Sequence, residues 1–349
     1  MDVSTAAGRA ADAADAVAAP TSSVLGQLVT TAAKGPTELD RISEFDPCCH
    51  VQRYANLAVA VSNMSNSVAF YTKIGFDIVD SDKTSDNGLA VLRNRGGMEL
   101  HLCPCDKPID EDKNILMDYP EDKYPGHTHA SWNVPNVQSC QEYLASQDIG
   151  ISGERKYAGV LRALFARDLD RTTLEFEHNQ GEPSPEGVVT RRENIGSPQC
   201  IDHIGIRVSN PEEAWKWYAE KLGFMRHVAR YEPDPEPLKN FPPWIARTNT
   251  GVDINLIINA NRSPEGTNIL WKDGVVRPGI LWATWEVADV KAAEVALRAA
   301  GVVCVSEAAM ASSHLKCLAP KMVPSADGNT VFVEDQDLNL YRLVRVHHF

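Results

Sequence analysis

The chain of 349 residues exceeds the usual length of a single domain, which favours about two domains or several repeated modules. A formal net charge of -13 without a basic run argues against nucleic acid or an anionic membrane surface as a partner. The composition, 43% hydrophobic and 23% charged, excludes wholesale disorder, and the absence of about 18 consecutive apolar residues excludes a membrane span.

The amino-terminal segment and the cysteines indicate where the protein resides. Residues 1–50 are rich in Ala and lack the basic start and apolar stretch of a secretory signal, so they are predicted to form a disordered tail. None of the eight cysteines is arranged in the CxxC spacing of a structural zinc site. A cytoplasmic location with reduced thiols follows as the expectation, and an organelle transit peptide is the alternative.

The sequence contains an internal repeat. Residues 54–76 (YANLAVAVSNMSNSVAFYTKIGF) and 201–224 (IDHIGIRVSNPEEAWKWYAEKLGF) share an alternating strand, a polar cap, an amphipathic helix and a Gly that ends it. In the second copy, Asn210 and Pro211 predict a helix start. Weaker copies occupy residues 129–151 and 282–303, so four modules are predicted.

Each helix is followed by two or three strand-like runs, of which the last are MELHLC (98–103), TLEFEH (173–178), DINLII (253–258) and LYRLV (340–344). The predicted fold is α+β, with four βαβββ modules paired into two cupped mixed or antiparallel sheets and helices outside. Modules 1 and 2 are assigned to a first domain, residues 51–190. Modules 3 and 4 are assigned to a second domain, residues 197–349.

These modules, with their (D)H-x-G-x-x-V opening, resemble the vicinal oxygen chelate superfamily of glyoxalase I, extradiol dioxygenases and fosfomycin-resistance proteins. The resemblance covers about residues 52–346 and is closest to fused, single-chain glyoxalase I-like proteins. In that family a metal is held by one inward residue from the first strand and one from the last strand of each of two paired modules.

Strand alternation assigns those positions here. In module 3, Ile204 and Ile206 face the helix-covered core, which leaves His203 facing the cup. The same rule gives one pair for each module: Asn56 and Glu99, His129 and Glu175, His203 and Asp253, Trp282 and Arg342. An indole and a guanidinium do not bind a metal, so module 4 is excluded.

The pairing of modules decides the composition of the site, and two arrangements are open. If module 2 pairs with module 3, as in fused glyoxalase I, one cup contains His129, Glu175, His203 and Asp253. The other cup then has no good set of ligands, and Glu99 could form an ion pair with Arg342. If modules pair in sequence, the alternative cup holds Asn56, Glu99, His129 and Glu175. The first arrangement is favoured because it concentrates the ligands, and it predicts that His129 and His203 lie within about 4–5 Å of each other.

The resemblance implies a metal-dependent lyase or isomerase that acts on a small oxygenated substrate, such as a hemithioacetal, through an enediolate. Glu175 would be the catalytic base and Asp253 its partner. Arg207 matches an arginine of glyoxalase I that binds a glutathione carboxylate, whereas Pro125 replaces a second such arginine, which puts glutathione recognition in doubt.

Two other functions remain open. His129, His203 and Glu175 also form the ligand set of an extradiol-type, ferrous dioxygenase, and a metal-free binding or scaffold protein is the third hypothesis. The expected cofactor is a divalent zinc, nickel or iron ion. The expected partner is a small-molecule substrate, and the oligomeric state, including a homodimer, is left open.

Overall fold

The computed structural model describes residues 47–79, 88–109, 113–118, 124–157, 159–178, 198–226, 245–248, 252–257 and 268–346. Within these ranges the chain forms four α-helices: α1 (Met64–Lys73), α2 (Val137–Ser146), α3 (Pro211–Leu222) and α4 (Val290–Ala299). It also forms sixteen strands: β1 (Arg53–Val61), β2 (Phe76–Ile78), β3 (Ala90–Asn94), β4 (Glu99–Pro104), β5 (Gly126–Asn133), β6 (Ile151–Tyr157), β7 (Val160–Arg167), β8 (Thr173–Glu177), β9 (Cys200–Arg207), β10 (Met225–Arg226), β11 (Ile245–Arg247), β12 (Asp253–Ile257), β13 (Gly279–Val287), β14 (Cys304–Ser306), β15 (Thr330–Glu334) and β16 (Leu340–Arg345).

The order of these elements is β-α-β-β-β, repeated four times, and the predicted mixed α+β class is confirmed. The tail predicted for residues 1–50 lies outside the described residues up to position 46, as does the boundary at residues 190–197. No helix in the described ranges has both the length and the apolar character that crossing a membrane requires.

Local sequence sets the start of each of the four described α-helices. The side chains of Asn63, Asn136, Asn210 and Asp289 each accept a hydrogen bond from a backbone N–H in the following first turn. This satisfies one of the donors that the first turn of a helix leaves without an intrahelical partner. The helix start predicted at Pro211 is confirmed, and α3 ends at Gly223, whose φ of 75° a residue with a side chain rarely adopts.

Pairing between the first strands joins module 2 to module 3 and module 1 to module 4. β5 runs antiparallel to β9, and β1 runs antiparallel to β13. The strand order β6-β7-β8-β5-β9-β12-β11-β10 defines one half of the sheet, which we call sheet A. The order β2-β3-β4-β1-β13-β16-β15-β14 defines the other half, sheet B. The two halves are hydrogen-bonded through β5 and β13, so strand pairing crosses the predicted domain boundary.

One face of each half is covered by helices. Alternate strand residues such as Leu57, Ile204 and Leu174 belong to the same buried cluster as Tyr71 of α1 and Trp215 of α3. The residues between them on each strand therefore project to the opposite side, which we call the inner face. The candidate ligands lie on the inner face of sheet A.

A tyrosine of one module is hydrogen-bonded to a buried carboxylate of the next. The Tyr71 hydroxyl on α1 donates to Asp168 Oδ2 at 2.8 Å, and the Tyr218 hydroxyl on α3 donates to Asp335 Oδ2 at 2.7 Å. Both aspartates also accept backbone N–H groups of their own turns. These contacts tie α1 to module 2 and α3 to module 4, and the sequence did not predict them.

Tyr71→Phe is expected to lower the free energy of unfolding by about 1–3 kcal/mol, because it removes a donor from the buried Asp168 carboxyl group. Urea denaturation would measure the change. Tyr143→Phe is the matched control, since that hydroxyl donates to the Lys73 carbonyl at an exposed position. Equal losses in the two variants would contradict the structural role given to Tyr71.

Candidate metal centre

Three donor atoms converge on the inner face of sheet A. His129 Nε2 lies 3.2 Å from Glu175 Oε2, and His203 Nε2 lies 3.4 Å from the same oxygen. The two imidazole nitrogens are 3.3 Å apart, within the limit predicted for ligands of one ion. All three residues are buried. The structure thus brings together His129, Glu175 and His203, three of the four residues predicted for one cup.

The strand pattern explains why these side chains meet. His129 follows Thr128 on β5, and its neighbour Ala130 belongs to the helix-covered core. Across the β5–β9 pair, Gly205 is the residue opposite His129. A Cβ atom on Gly205 would lie 2.0 Å from Cε1 of the His129 ring. The absence of a side chain at position 205 therefore provides the space that the His129 ring occupies.

Hydrogen bonds at Nδ1 orient both imidazoles. His203 Nδ1 lies 2.8 Å from Asp202 Oδ2, to which it donates. Thr128 Oγ1 donates to the Gly205 carbonyl at 3.2 Å and can therefore accept from His129 Nδ1, which lies 3.1 Å away. With Nδ1 acting as the donor in each ring, Nε2 is the atom that each imidazole presents to a cation.

The charge states agree with a cation-binding arrangement. Burial raises the pKa of Glu175, but its contacts with His129, His203 and the Arg155 guanidinium outweigh this and hold it well below its usual range. Burial lowers the pKa of His203, but contacts with Asp202, Glu175 and Glu177 hold it well above its usual range. A divalent cation would take the place of the proton on His203 Nε2.

The donor set fits a divalent metal. Two imidazoles and a carboxylate are ligands that zinc, nickel and ferrous ions accept. Metal–ligand bonds near 2.1 Å in a tetrahedral arrangement place donor atoms about 3.4 Å apart. The separations of 3.2 to 3.4 Å among His129, Glu175 and His203 match that spacing.

An outer layer of charged groups supports these three residues. Arg155 Nη2 lies 2.6 Å from Glu175 Oε1 and 2.8 Å from Glu177 Oε2. Glu175 therefore has one oxygen against the guanidinium and the other towards the imidazoles. Burial raises the pKa of Glu177 to about 7, with Asp202 acting in the same direction.

Glu177, Asp202 and His203 form a second group of donor atoms that are close enough for one ion. The Arg155 guanidinium already contacts Glu177 in this group, and His203 Nδ1 already donates to Asp202. We therefore assign Glu177 and Asp202 to orienting His203 and not to binding an ion of their own. Arg155, Glu177 and Asp202 were not among the predicted site residues. Two signals were present: Glu177 follows Glu175 by two residues on one strand face, and Asp202 directly precedes His203.

In modules 2 and 4, the predicted first-strand residue is not the one that lies opposite the predicted last-strand residue. In the parallel pairs of first and last strands, Asn56 is opposite Glu99 and His203 is opposite Asp253, so the residues assigned to modules 1 and 3 are also register partners. Ser131, not His129, is opposite Glu175. Likewise Thr284, not Trp282, is opposite Arg342. Because the shift is two residues, the face of the strand is preserved and His129 still projects beside Glu175.

Two predicted residues of this site are placed differently or not described. The side chain of Asp253 lies outside the described residues, although its backbone is paired with that of His203. Arg207 is buried, and its Nη1 donates to the carbonyls of Leu116 and Tyr124. Its guanidinium thus holds the segment that precedes β5, and binding of a substrate carboxylate by Arg207 stays a prediction.

The inner face of sheet B has a different character. Asn56 Oδ1 accepts a hydrogen bond from Thr284 at 2.6 Å, and Glu99 contacts Arg93 and His101. Arg342 pairs with Glu307 at 3.0 Å, so the predicted ion pair between Glu99 and Arg342 is wrong. Among the described residues, this face gathers no group of three potential ligands.

Comparisons with known proteins found one matching family model and several similar solved structures. Residues 200–331 match the family model of the Glyoxalase/Bleomycin resistance protein/Dioxygenase superfamily. A structure from Bacillus subtilis, provisionally described as a dioxygenase, matches with a TM-score of 0.54 and 12% identity over 84% of this chain and 85% of that chain. A variant of glyoxalase I from Zea mays matches with a TM-score of 0.49 and 17% identity over 84% of this chain and 92% of that chain. No curated protein matches the sequence.

The fold is that of paired βαβββ modules with a candidate metal centre on one inner face. The chain's segment 200–331 is similar to the glyoxalase, bleomycin resistance and dioxygenase superfamily, also called the vicinal oxygen chelate superfamily.

Proposed function

We propose that this protein is a metal-dependent lyase or isomerase of the glyoxalase I type, which acts on a small oxygenated substrate such as a hemithioacetal. The observation that carries the proposal is the convergence of His129 Nε2, His203 Nε2 and Glu175 Oε2 at mutual distances of 3.2 to 3.4 Å. A divalent cation held by these atoms would supply a Lewis acid that stabilises negative charge developing on a substrate oxygen.

The chain's own residues prepare the site for that chemistry. Asp202 and Thr128 fix the orientation of the two imidazoles, and Arg155 holds one oxygen of Glu175. Because its pKa is held well below the usual range, Glu175 stays ionised at neutral pH. For Glu175 to accept a proton from a substrate carbon, its contacts with the imidazoles and with Arg155 have to loosen.

A second candidate function is ring cleavage by a ferrous dioxygenase. It is favoured by one observation, namely that the ligands described are two histidines and one carboxylate. This set leaves positions open for a catechol-like substrate and dioxygen on ferrous iron.

One experiment distinguishes the two functions. The full-length chain is reconstituted separately with zinc, nickel and anaerobic ferrous iron, and each form is assayed for isomerisation of the hemithioacetal of methylglyoxal and for oxygen uptake with catechol. We expect isomerisation with zinc or nickel, lost in His203→Ala and kept in His314→Ala, a histidine that pairs with Glu334 away from the three ligands. Oxygen uptake confined to the iron form would favour the dioxygenase, and inactivity in both assays would contradict both functions for these substrates.

A further inference from the structure

Two buried hydroxyl groups on the inner face of sheet A have no hydrogen-bond partner within the described residues. They are Ser131 Oγ and Thr173 Oγ1. Ser131 has 0% of its surface exposed and Thr173 has 6%. Buried polar groups are nearly always paired, and a pair of unsatisfied hydroxyls in one place requires an explanation.

Ser131 lies between two of the proposed ligands. In strand register it is opposite Glu175 on β8 and opposite His203 on β9. Its neighbours Ala130 and Trp132 belong to the helix-covered core, so the Ser131 side chain projects to the inner face. The hydroxyl is therefore on the same side of the sheet as the three donor atoms.

Thr173 has the corresponding position beside the third ligand. It is opposite His129 in the β5–β8 pair, and its neighbour Leu174 belongs to the helix-covered core. The His129 ring lies against Gly205, on the other side of β5. Each of the three ligands thus has one of these hydroxyls next to it in strand register.

The ligands themselves do not satisfy these hydroxyls. Among the described residues, His129 Nε2, His203 Nε2 and Glu175 Oε2 contact one another, and the second oxygen of Glu175 contacts Arg155. A molecule bound at the site can supply the acceptor that the described residues do not. An oxygen atom bound at an open position of the metal centre is such an acceptor, and a hydroxyl is a donor that suits it.

We propose that Ser131 and Thr173 determine which ligands the metal centre accepts. They do so by donating hydrogen bonds to the oxygen atoms of a small metal-bound molecule, and this role rests on the proposed function. A site whose buried donors need an oxygen acceptor discriminates against ligands that lack one, because those ligands leave the donors unpaired.

The test uses the full-length chain loaded with cobalt(II), whose visible absorption reports ligand binding directly. Two probes are titrated: acetohydroxamate, which offers two oxygens, and imidazole, which binds through nitrogen and then exposes no acceptor. We expect Ser131→Ala and Thr173→Val each to weaken acetohydroxamate binding about tenfold, with imidazole and cobalt affinities unchanged.

Matched variants separate the hydroxyl from the packing. Thr173→Ser keeps the hydroxyl and should bind acetohydroxamate as the unmodified chain does, whereas the nearly isosteric Thr173→Val should not. Ser67→Ala removes a serine that is equally buried, on α1 of module 1, and should change neither probe.

Unchanged acetohydroxamate binding in Ser131→Ala and Thr173→Val would overturn the inference. Equal weakening of both probes and of cobalt would also overturn it, because the hydroxyls would then act on the metal centre as a whole. An unmodified chain that takes up no cobalt is a different outcome: it would overturn the proposed function, and this role of the hydroxyls with it.

Discussion

The His129→Ala variant is expected to lose stoichiometric metal that the unmodified chain retains, with an affinity at least about 100-fold lower. Loss of a partner behind a metal ligand typically weakens binding by about 10–100-fold, and loss of a ligand should exceed that. Competition with a chromophoric chelator would measure the affinities.

The control for this experiment is His314→Ala, since His314 is half-exposed and its imidazole also contacts a carboxylate, that of Glu334. Circular dichroism and thermal unfolding establish that both variants are folded. If His129→Ala bound zinc, nickel and iron as tightly as His314→Ala, the three converging donor atoms would not be the metal centre.

Gly205→Ala is expected to weaken metal binding by a similar factor although it leaves every ligand in place. The added Cβ atom would lie 2.0 Å from Cε1 and 2.3 Å from Nδ1 of His129, so the ring has to move away from its present position. The hydrogen bond between Thr128 and His129 would be lost with it. Crowding a buried site in this way typically also lowers the free energy of unfolding by about 1–3 kcal/mol.

Gly150→Ala provides the matched control for Gly205→Ala. Gly150 is exposed, and an added Cβ atom there would meet no atom within 4 Å. We expect its metal affinity to equal that of the unmodified chain. Full metal affinity in Gly205→Ala would contradict the role of this glycine in making room for the His129 ring.

Much of the fold was accessible from the sequence because it is local and repeated. The alternation around Ile204 and the cap at Asn210 specify a strand and a helix without reference to any other module. The element order followed from the same pattern, repeated four times. Of the two module pairings left open, the strand pairs β5–β9 and β1–β13 agree with the favoured one.

The sequence could not give the exact register in modules 2 and 4. There the residues opposite Glu175 and Arg342 are Ser131 and Thr284, each two positions beyond the predicted ones. Register depends on irregularities in the pairing of distant strands, such as the shift that follows Ser131 in the β5–β9 pair. No pattern within one strand encodes such a shift.

The partners of the cationic side chains Arg155 and Arg207 could not be predicted from the sequence either. Arg155 reaches Glu175 from a strand two positions away in the sheet, and Arg207 is engaged by carbonyls of the segment before β5. Both contacts join residues that are far apart along the chain, and a cationic side chain can satisfy many alternative acceptors. Only the folded arrangement selects between them.

The two inner faces illustrate how one repeat can be used in two ways. On sheet B, Trp282 packs with Phe332 at 5.4 Å between ring centroids, within an apolar cluster that also contains Ala58 and Leu340. Burial of these side chains stabilises the fold but leaves no set of three ligands among the described residues of that face. The three donor atoms gathered on sheet A make it the part of the chain on which the proposed chemistry depends.

The most direct test of the central claim is the metal content of the purified full-length chain, measured by plasma mass spectrometry before and after reconstitution with zinc, nickel and iron. A chain with one metal centre on sheet A should carry about one ion. Zinc or nickel would favour the lyase, and iron would favour the dioxygenase. Absence of stoichiometric metal even after reconstitution would contradict the proposed metal centre and leave a metal-free binding or scaffold protein.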